Sequence, residues 1–227
     1  MKINYGLDYA IRPCISNQGT DNMKNLVLVT SFCCLMSFPL LASEKELTQQ
    51  FESAELSQLQ INTGVGDITV EVTDASHISV DVKVRGSKSW FFGRKDVSDA
   101  SLESSIENGV LSLEVPLDDT EQTWVVKVPR QLAVDLQLGV GSINMDGNAG
   151  NIDADIGVGS FSAKLAVPEF KNIELSAGVG DVSLQTTQGK TARSHLVGAE
   201  LEYAGPGEHA MAVTVGVGDA TVKNSAL

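Results

Sequence analysis

The sequence predicts an all-β protein, a single-stranded β-solenoid with coils of about 19 residues and a more irregular N-terminal half. Three observations carry this. The tetrapeptide Gly-Val-Gly-Asp/Ser occurs five times, beginning at Gly64, Gly139, Gly157, Gly178 and Gly216. The steps between copies are 75, 18, 21 and 38 residues, with a weakened copy at Gly198 dividing the last into 20 and 18. Each copy is also flanked by strictly alternating aliphatic residues, the pattern of a strand with one buried face. A recurring unit of this length reads as one turn of a repeat architecture.

The flanks give the corner. Counting from the first glycine, offsets −5, −3 and −1 hold Leu59, Ile61, Thr63 in the first copy and Val134, Leu136, Leu138 in the second. The other three copies hold Ile152, Ala154, Ile156, then Ile173, Leu175, Ala177, then Met211, Val213, Val215. After the tetrapeptide the apolar positions move to +4 and +6, as in Ile68/Val70, Ile143/Met145, Phe161/Ala163, Val182/Leu184 and Ala220/Val222. Such a phase change sends side chains to the wrong face unless the chain bends there. The glycine pairs Gly64/Gly66, Gly139/Gly141, Gly157/Gly159, Gly178/Gly180 and Gly216/Gly218 are therefore read as structural corners.

Taken in order, residues 1–22 are polar and aperiodic and are expected to lie outside the fold, with Met23 as the start of translation. Residues 23–42 read as a secretory signal peptide: Lys24, an apolar run from Leu26 to Leu41, and a small-residue exit at Ala42. Residues 43–227 form one domain. Its three upstream cysteines, Cys14, Cys33 and Cys34, leave none in the mature chain, so neither disulfides nor thiolate metal sites are expected. The net charge of −13 becomes −14 once residues 1–42 are removed. That acidity argues against nucleic acid as a partner. No segment of the mature chain is apolar enough for a transmembrane helix.

Within the domain, Glu44 to Ser57 reads as a cap or first strand, and Ile78 to Val84 as a strand. Ser105 to Val115 reads as a hairpin turning at Asn108-Gly109, and Trp124 to Pro129 as a strand ended by proline. The stretch Val126-Lys127-Val128-Pro129, followed by Leu132 to Met145, resembles the bacterial putative-adhesin domain family, as do the steps Gly66-Asp67-Ile68 and Gly180-Asp181-Val182. The resemblance covers roughly residues 50–225. It implies a β-solenoid in the cell envelope or outside it, and brings no catalytic residues with it.

Three candidate sites follow. Asp67, Asp181 and Asp219 echo calcium-binding repeats, but stacking in chain order keeps these aspartates apart, and hydrogen bonds at the corners are the simpler expectation. Asp135, Asp153 and Asp155 lie at outward offsets, where a polysaccharide-cleaving enzyme would need a facing carboxylate pair. Trp90, Phe91, Phe92, Arg94 and Lys95 concentrate aromatic and basic groups in an acidic chain, as a binding loop or as a lid over an open end. His77, His195 and His209 are scattered, and no nucleophile motif accompanies them. The expectation is a non-enzymatic binding or scaffold protein, periplasmic or at the cell surface. It needs no cofactor, and its partner would be an envelope protein or glycan. A polysaccharide-active β-helix enzyme or a calcium-binding roll is the alternative.

Overall fold

Period-two alternation makes strands, and the computed structural model describes residues 43–89, 93–186, 189–195 and 198–225, which fall in one compact unit. The segments assigned above to an extension (1–22) and a signal peptide (23–42) lie outside the described residues, as do Trp90, Phe91 and Phe92. Among the described residues there is no α-helix.

The strands are β1 (Glu44–Glu52), β2 (Gln58–Thr73), β3 (His77–Gly86), β4 (Lys88–Ser89) and β5 (Gly93–Arg94). There follow β6 (Glu103–Glu107), β7 (Val110–Glu114), β8 (Thr120–Pro129), β9 (Ala133–Asp146) and β10 (Ile152–Leu165). A 3-10 turn, Val167–Glu169, leads to β11 (Phe170–Thr186), β12 (Gly189–His195), β13 (Ala199–Ala204) and β14 (His209–Asn224). Twelve of these form one mixed sheet, and β4 and β5 pair separately.

The centre of the sheet is five long parallel strands, in the order β2, β9, β10, β14, β11, one for each tetrapeptide. Their register aligns the copies residue for residue: Val65 pairs with Val140, Val140 with Val158, Val158 with Val217 and Val217 with Val179. The −3 position forms one buried file of Ile61, Leu136, Ala154, Val213 and Leu175, and the +4 position another of Ile68, Ile143, Phe161, Ala220 and Val182. Both halves of each strand thus contribute to the same core. Each fully buried aliphatic side chain in it is worth about 1.5–3 kcal/mol.

Three features depart from a uniform coil. First, β14 inserts between β10 and β11, so the stack does not follow chain order. Second, the weak copy at Gly198 makes no parallel rung. Residues on either side of it form β12 and β13, which run antiparallel to the second and first halves of β11. The 38-residue step is therefore an edge excursion rather than two coils. Third, the 75-residue step holds β3 to β8. Here β7 and β8 lie parallel to the two halves of β2, while β3 and β1 extend the sheet antiparallel.

The β7–β8 pair lacks a glycine corner, and a polar cluster fills the gap. Buried Gln122 accepts from the Thr63 hydroxyl (2.9 Å) and from Trp124 Nε1 (3.1 Å) through Oε1, and donates to the Val115 carbonyl (3.1 Å). The Asn108-Gly109 hairpin forms as its chemistry demands, with φ of 51° and 82° at the two loop residues.

Candidate functional site

The repeated corner is built on two glycine columns with different reasons for being glycine. The third residue of each tetrapeptide, Gly66, Gly141, Gly159, Gly180 and Gly218, has φ between 136° and 149°. A Cβ there would stand 1.7–1.9 Å from the backbone oxygen of the neighbouring strand. The first residue avoids positive φ but is crowded: a Cβ on Gly139, Gly157, Gly178 or Gly216 would meet a neighbouring glycine oxygen at 2.4–2.6 Å. Gly64 is the exception, with open space, because no glycine corner precedes it in the stack.

Between the glycine columns stand Val65, Val140, Val158, Val217 and Val179, each 47–49% exposed. They make an apolar row five strands wide, roughly 19 Å long at the ordinary strand spacing of about 4.8 Å.

The next column contains the calcium candidates, and its order is Asp67, Ser142, Ser160, Asp219, Asp181. Asp219 and Asp181 belong to adjacent strands, contrary to the chain-order expectation, because β14 sits beside β11. Their contact is a corner hydrogen bond: the Asp181 backbone N–H donates to Asp219 Oδ1 at 2.9 Å. At the other end Ser142 Oγ donates to Asp67 Oδ1. Among the described residues no group of three His, Cys, Asp or Glu side chains converges as metal ligands.

The acidic candidates lie on the outward side of the first strand halves. Asp135 pairs with Asp153 across β9 and β10, and Asp155 lies two residues further along β10. Asp135 receives long hydrogen bonds from Gln58 and Gln60 (3.4 Å each). Partial burial, then the charges of Asp155 and Asp135, push the Asp153 carboxyl above the ordinary aspartate range.

Sequence reasoning missed the partner that the fold brings to Asp153. Its other neighbour is Ala212 on β14, and beyond Ala212 stands Glu174 on β11. The small side chains of Ala210 and Ala212 leave a trough of about 420 Å³ with Asp153 and Glu174 on its two sides. Asn172 Nδ2 donates to Glu174 Oε1 at 2.6 Å. The signal was present as alanine in an outward column of polar residues, but only the true strand order places Glu174 across from Asp153.

Arg94 and Lys95 follow the aromatic triplet. Arg94 is exposed on β5, opposite Lys88 of β4. Lys95 is half-buried; its backbone N–H donates to the Ser87 carbonyl, and its ammonium to the Asp118 carbonyl. The base of this segment is thus fastened to the loop between β7 and β8.

No known protein family matches the chain, and no curated protein sequence does. Solved structures that match the chain are described as a putative cell adhesion protein and putative adhesins. One, a putative cell adhesion protein from Clostridium sporogenes, shares 15% identity with a TM-score of 0.42, covering 80% of this chain and 99% of that one. A putative adhesin from Bacteroides fragilis shares 11% identity with a TM-score of 0.23, over 79% and 97%. Another from Parabacteroides distasonis shares 11% with a TM-score of 0.27, over 79% and 97%. Similarity at this level does not assign a function. Among the described residues no helix is long and apolar enough to cross a membrane.

Proposed function

We propose that this chain is an exported, non-catalytic binding or scaffold domain of the cell envelope, adhesin-like, whose five central strands are coils of a β-solenoid. The observation that carries this reading is the registered stack of corners. It sets a row of exposed valines along the corners, on a core that the two halves of each strand share. The solenoid reading rests on β9 and β10, which are parallel neighbours although only residues 147–151 separate them. Parallel neighbours ordinarily need a dozen or more connecting residues. A strand that folds back at its corner makes most of the return itself. Periodic faces of this kind suit a protein or glycan partner with its own repeat. The test is to fractionate cells producing the protein and capture partners from the envelope fraction. Recovery there, processed near Ala42 and bound to an envelope component, supports the proposal. An unprocessed cytosolic chain overturns it.

The trough favours a second reading, polysaccharide cleavage. Asp153 and Glu174 lie two strands apart, roughly 10 Å at the backbone, near the carboxylate separation of inverting glycosidases. Release of reducing ends from an envelope polysaccharide, abolished in both Asp153→Asn and Glu174→Gln, would establish it over the first.

A further inference from the structure

We propose that the open edge of β6 is a docking site for an extended, basic segment of a partner protein. The segment adds to the sheet as one more strand, with an arginine against Glu103 and Glu114 and an apolar side chain beside Ile106. This deepens the binding reading above and rests on it, but uses an edge of the sheet and not the valine row.

All five residues of β6, Glu103–Glu107, are exposed. The strand pairs with β7 alone, so its other edge carries backbone groups with no partner among the described residues. The two-residue loop Asn108-Gly109 closes on the Glu107–Val110 pair. That closure makes Glu107, Ser105 and Glu103 the hydrogen-bonded positions, and turns the N–H and C=O groups of Ser104 and Ile106 to the open side. Ile106 pairs with buried Leu111 and therefore lies on the core side of the sheet, yet it is 60% exposed. Among the described residues it is the one exposed large apolar side chain outside the valine row. An unpaired edge with an uncovered apolar residue is a template for a further strand.

Charge decides which strand fits. Glu103 stands directly opposite Glu114 of β7, and neither carboxylate has an ion pair or hydrogen bond among the described residues. Like charges so placed repel. At the edge strand β1 the protein does otherwise: Glu44 is held by Lys83 at 2.6 Å and by Arg85 at 2.9 Å. Lys45, on the core side of β1, donates to the Ser98 carbonyl at 2.7 Å. An inward lysine is a common guard against edge pairing, whereas β6 has no lysine, no proline and no register shift. A second copy of this chain fits poorly. Two β6 strands paired antiparallel about Ser105 set Glu103 against Glu107 twice, between chains of net charge −13. A basic strand turns both clashes into attractions.

The outward side of β6 supplies a seat for one cation. Glu103 and Glu114 border a cleft of about 260 Å³, with Gln60, Asn62, Ser105 and Ser112 along its walls. An added strand would lie about 4.8 Å beyond β6, within reach of an arginine side chain. The planar guanidinium has five donors and no acceptor, which suits two carboxylates that have no donor of their own.

The experiment is an amide chemical-shift titration of the purified full chain with the peptide Ser-Arg-Val-Thr-Val-Arg-Ser, blocked at both ends. Paired antiparallel, its arginines face Glu103 and Glu107 and its valines face Ser104 and Ile106. The amides of β6 should shift together, with a Kd of about 1 mM or below. The same peptide with glutamates for arginines should give no response. Glu103→Lys combined with Glu114→Lys should weaken binding at least about tenfold. Ser104→Pro removes an outward N–H where an edge strand tolerates proline, and should weaken binding about threefold or more. No response at about 1 mM peptide, or one centred on other residues, overturns the proposal. Binding that survives either set of substitutions, or that the glutamate peptide matches, overturns it too. So do β6 amides that move with protein concentration alone, the sign of a second copy on the edge. If a variant fails to fold, the shift map of the unaltered chain and the glutamate peptide decide. The titration needs only purified protein, so its failure removes the β6 site and leaves the envelope reading standing. An unprocessed cytosolic chain removes the envelope reading and leaves the peptide result as it is.

Discussion

Gly64 and Gly141 occupy the same motif under opposite constraints, which makes them a direct probe of the corner. Gly141→Ala places a methyl group 1.7 Å from the Gly66 carbonyl oxygen on a backbone of φ 144°. We expect a loss of about 4 kcal/mol or more, among the largest effects a single substitution produces, or no folded protein at all. Gly64→Ala meets open space, and should be neutral or stabilising by about 0.4–1 kcal/mol through the unfolded state. Urea denaturation of the two variants checks both. Gln122 offers a second test. Gln122→Leu leaves the Thr63 hydroxyl and Trp124 N–H without their buried acceptor. At about 1–3 kcal/mol for each stranded group, it should be clearly destabilising by the same measurement. Asp153 gives a pH signature. Its carboxyl is raised in the fold, so ionisation costs stability as pH rises from the unfolded value through the folded one, and the penalty is complete above that. Asp153→Asn should therefore melt higher than the parent at neutral pH, and the advantage should vanish in acid, below the ordinary aspartate range. Melting curves across pH 3 to 8 would show the two lines converge.

At the scale of elements, what could be read from the chain was whatever short-range chemistry decides. The alternation at Leu59-Ile61 or Val134-Leu136 fixes which face is buried, and Asn108-Gly109 dictates a hairpin whatever surrounds it. Pairing partners are another matter. Arg193 and His195 stand where the other copies carry aliphatic residues ahead of the weakened copy at Gly198. Nothing local to it says that β12 and β13 turn back along β11. Asp153 could be picked out as an outward acid, but Glu174 could not be placed opposite it without knowing which strand lies between them. The aromatic segment makes a prediction at this same scale. Changing Trp90, Phe91 and Phe92 together to Ser should leave the melting temperature within a few degrees if they form a binding loop, and abolish surface binding. A collapse of the melting transition would make them a lid.

For the molecule as a whole, the decisive fact is that β14 lies inside the stack, paired along its length with both β10 and β11. In a coil wound in chain order, removing the final turn would trim one end and leave the rest standing, as nearest-neighbour stability allows. Here a chain ending at Glu208 should lose cooperative unfolding altogether, because the excision leaves two facing edges with no strand between them. Circular dichroism melts of that truncation test the point. The order of the stack was beyond the reach of spacing arguments: equal units predict equal neighbours, and nothing in the spacing says that β14 lies between β10 and β11.

Placing β14 between two earlier strands also imposes a timetable on biogenesis. Synthesis delivers β10 and β11 before it, so neither can complete its native pairing until β14 has emerged, and an unpaired strand edge is one to which stray peptide adds readily. Maturation is complete only when the late strand slides home like a keystone.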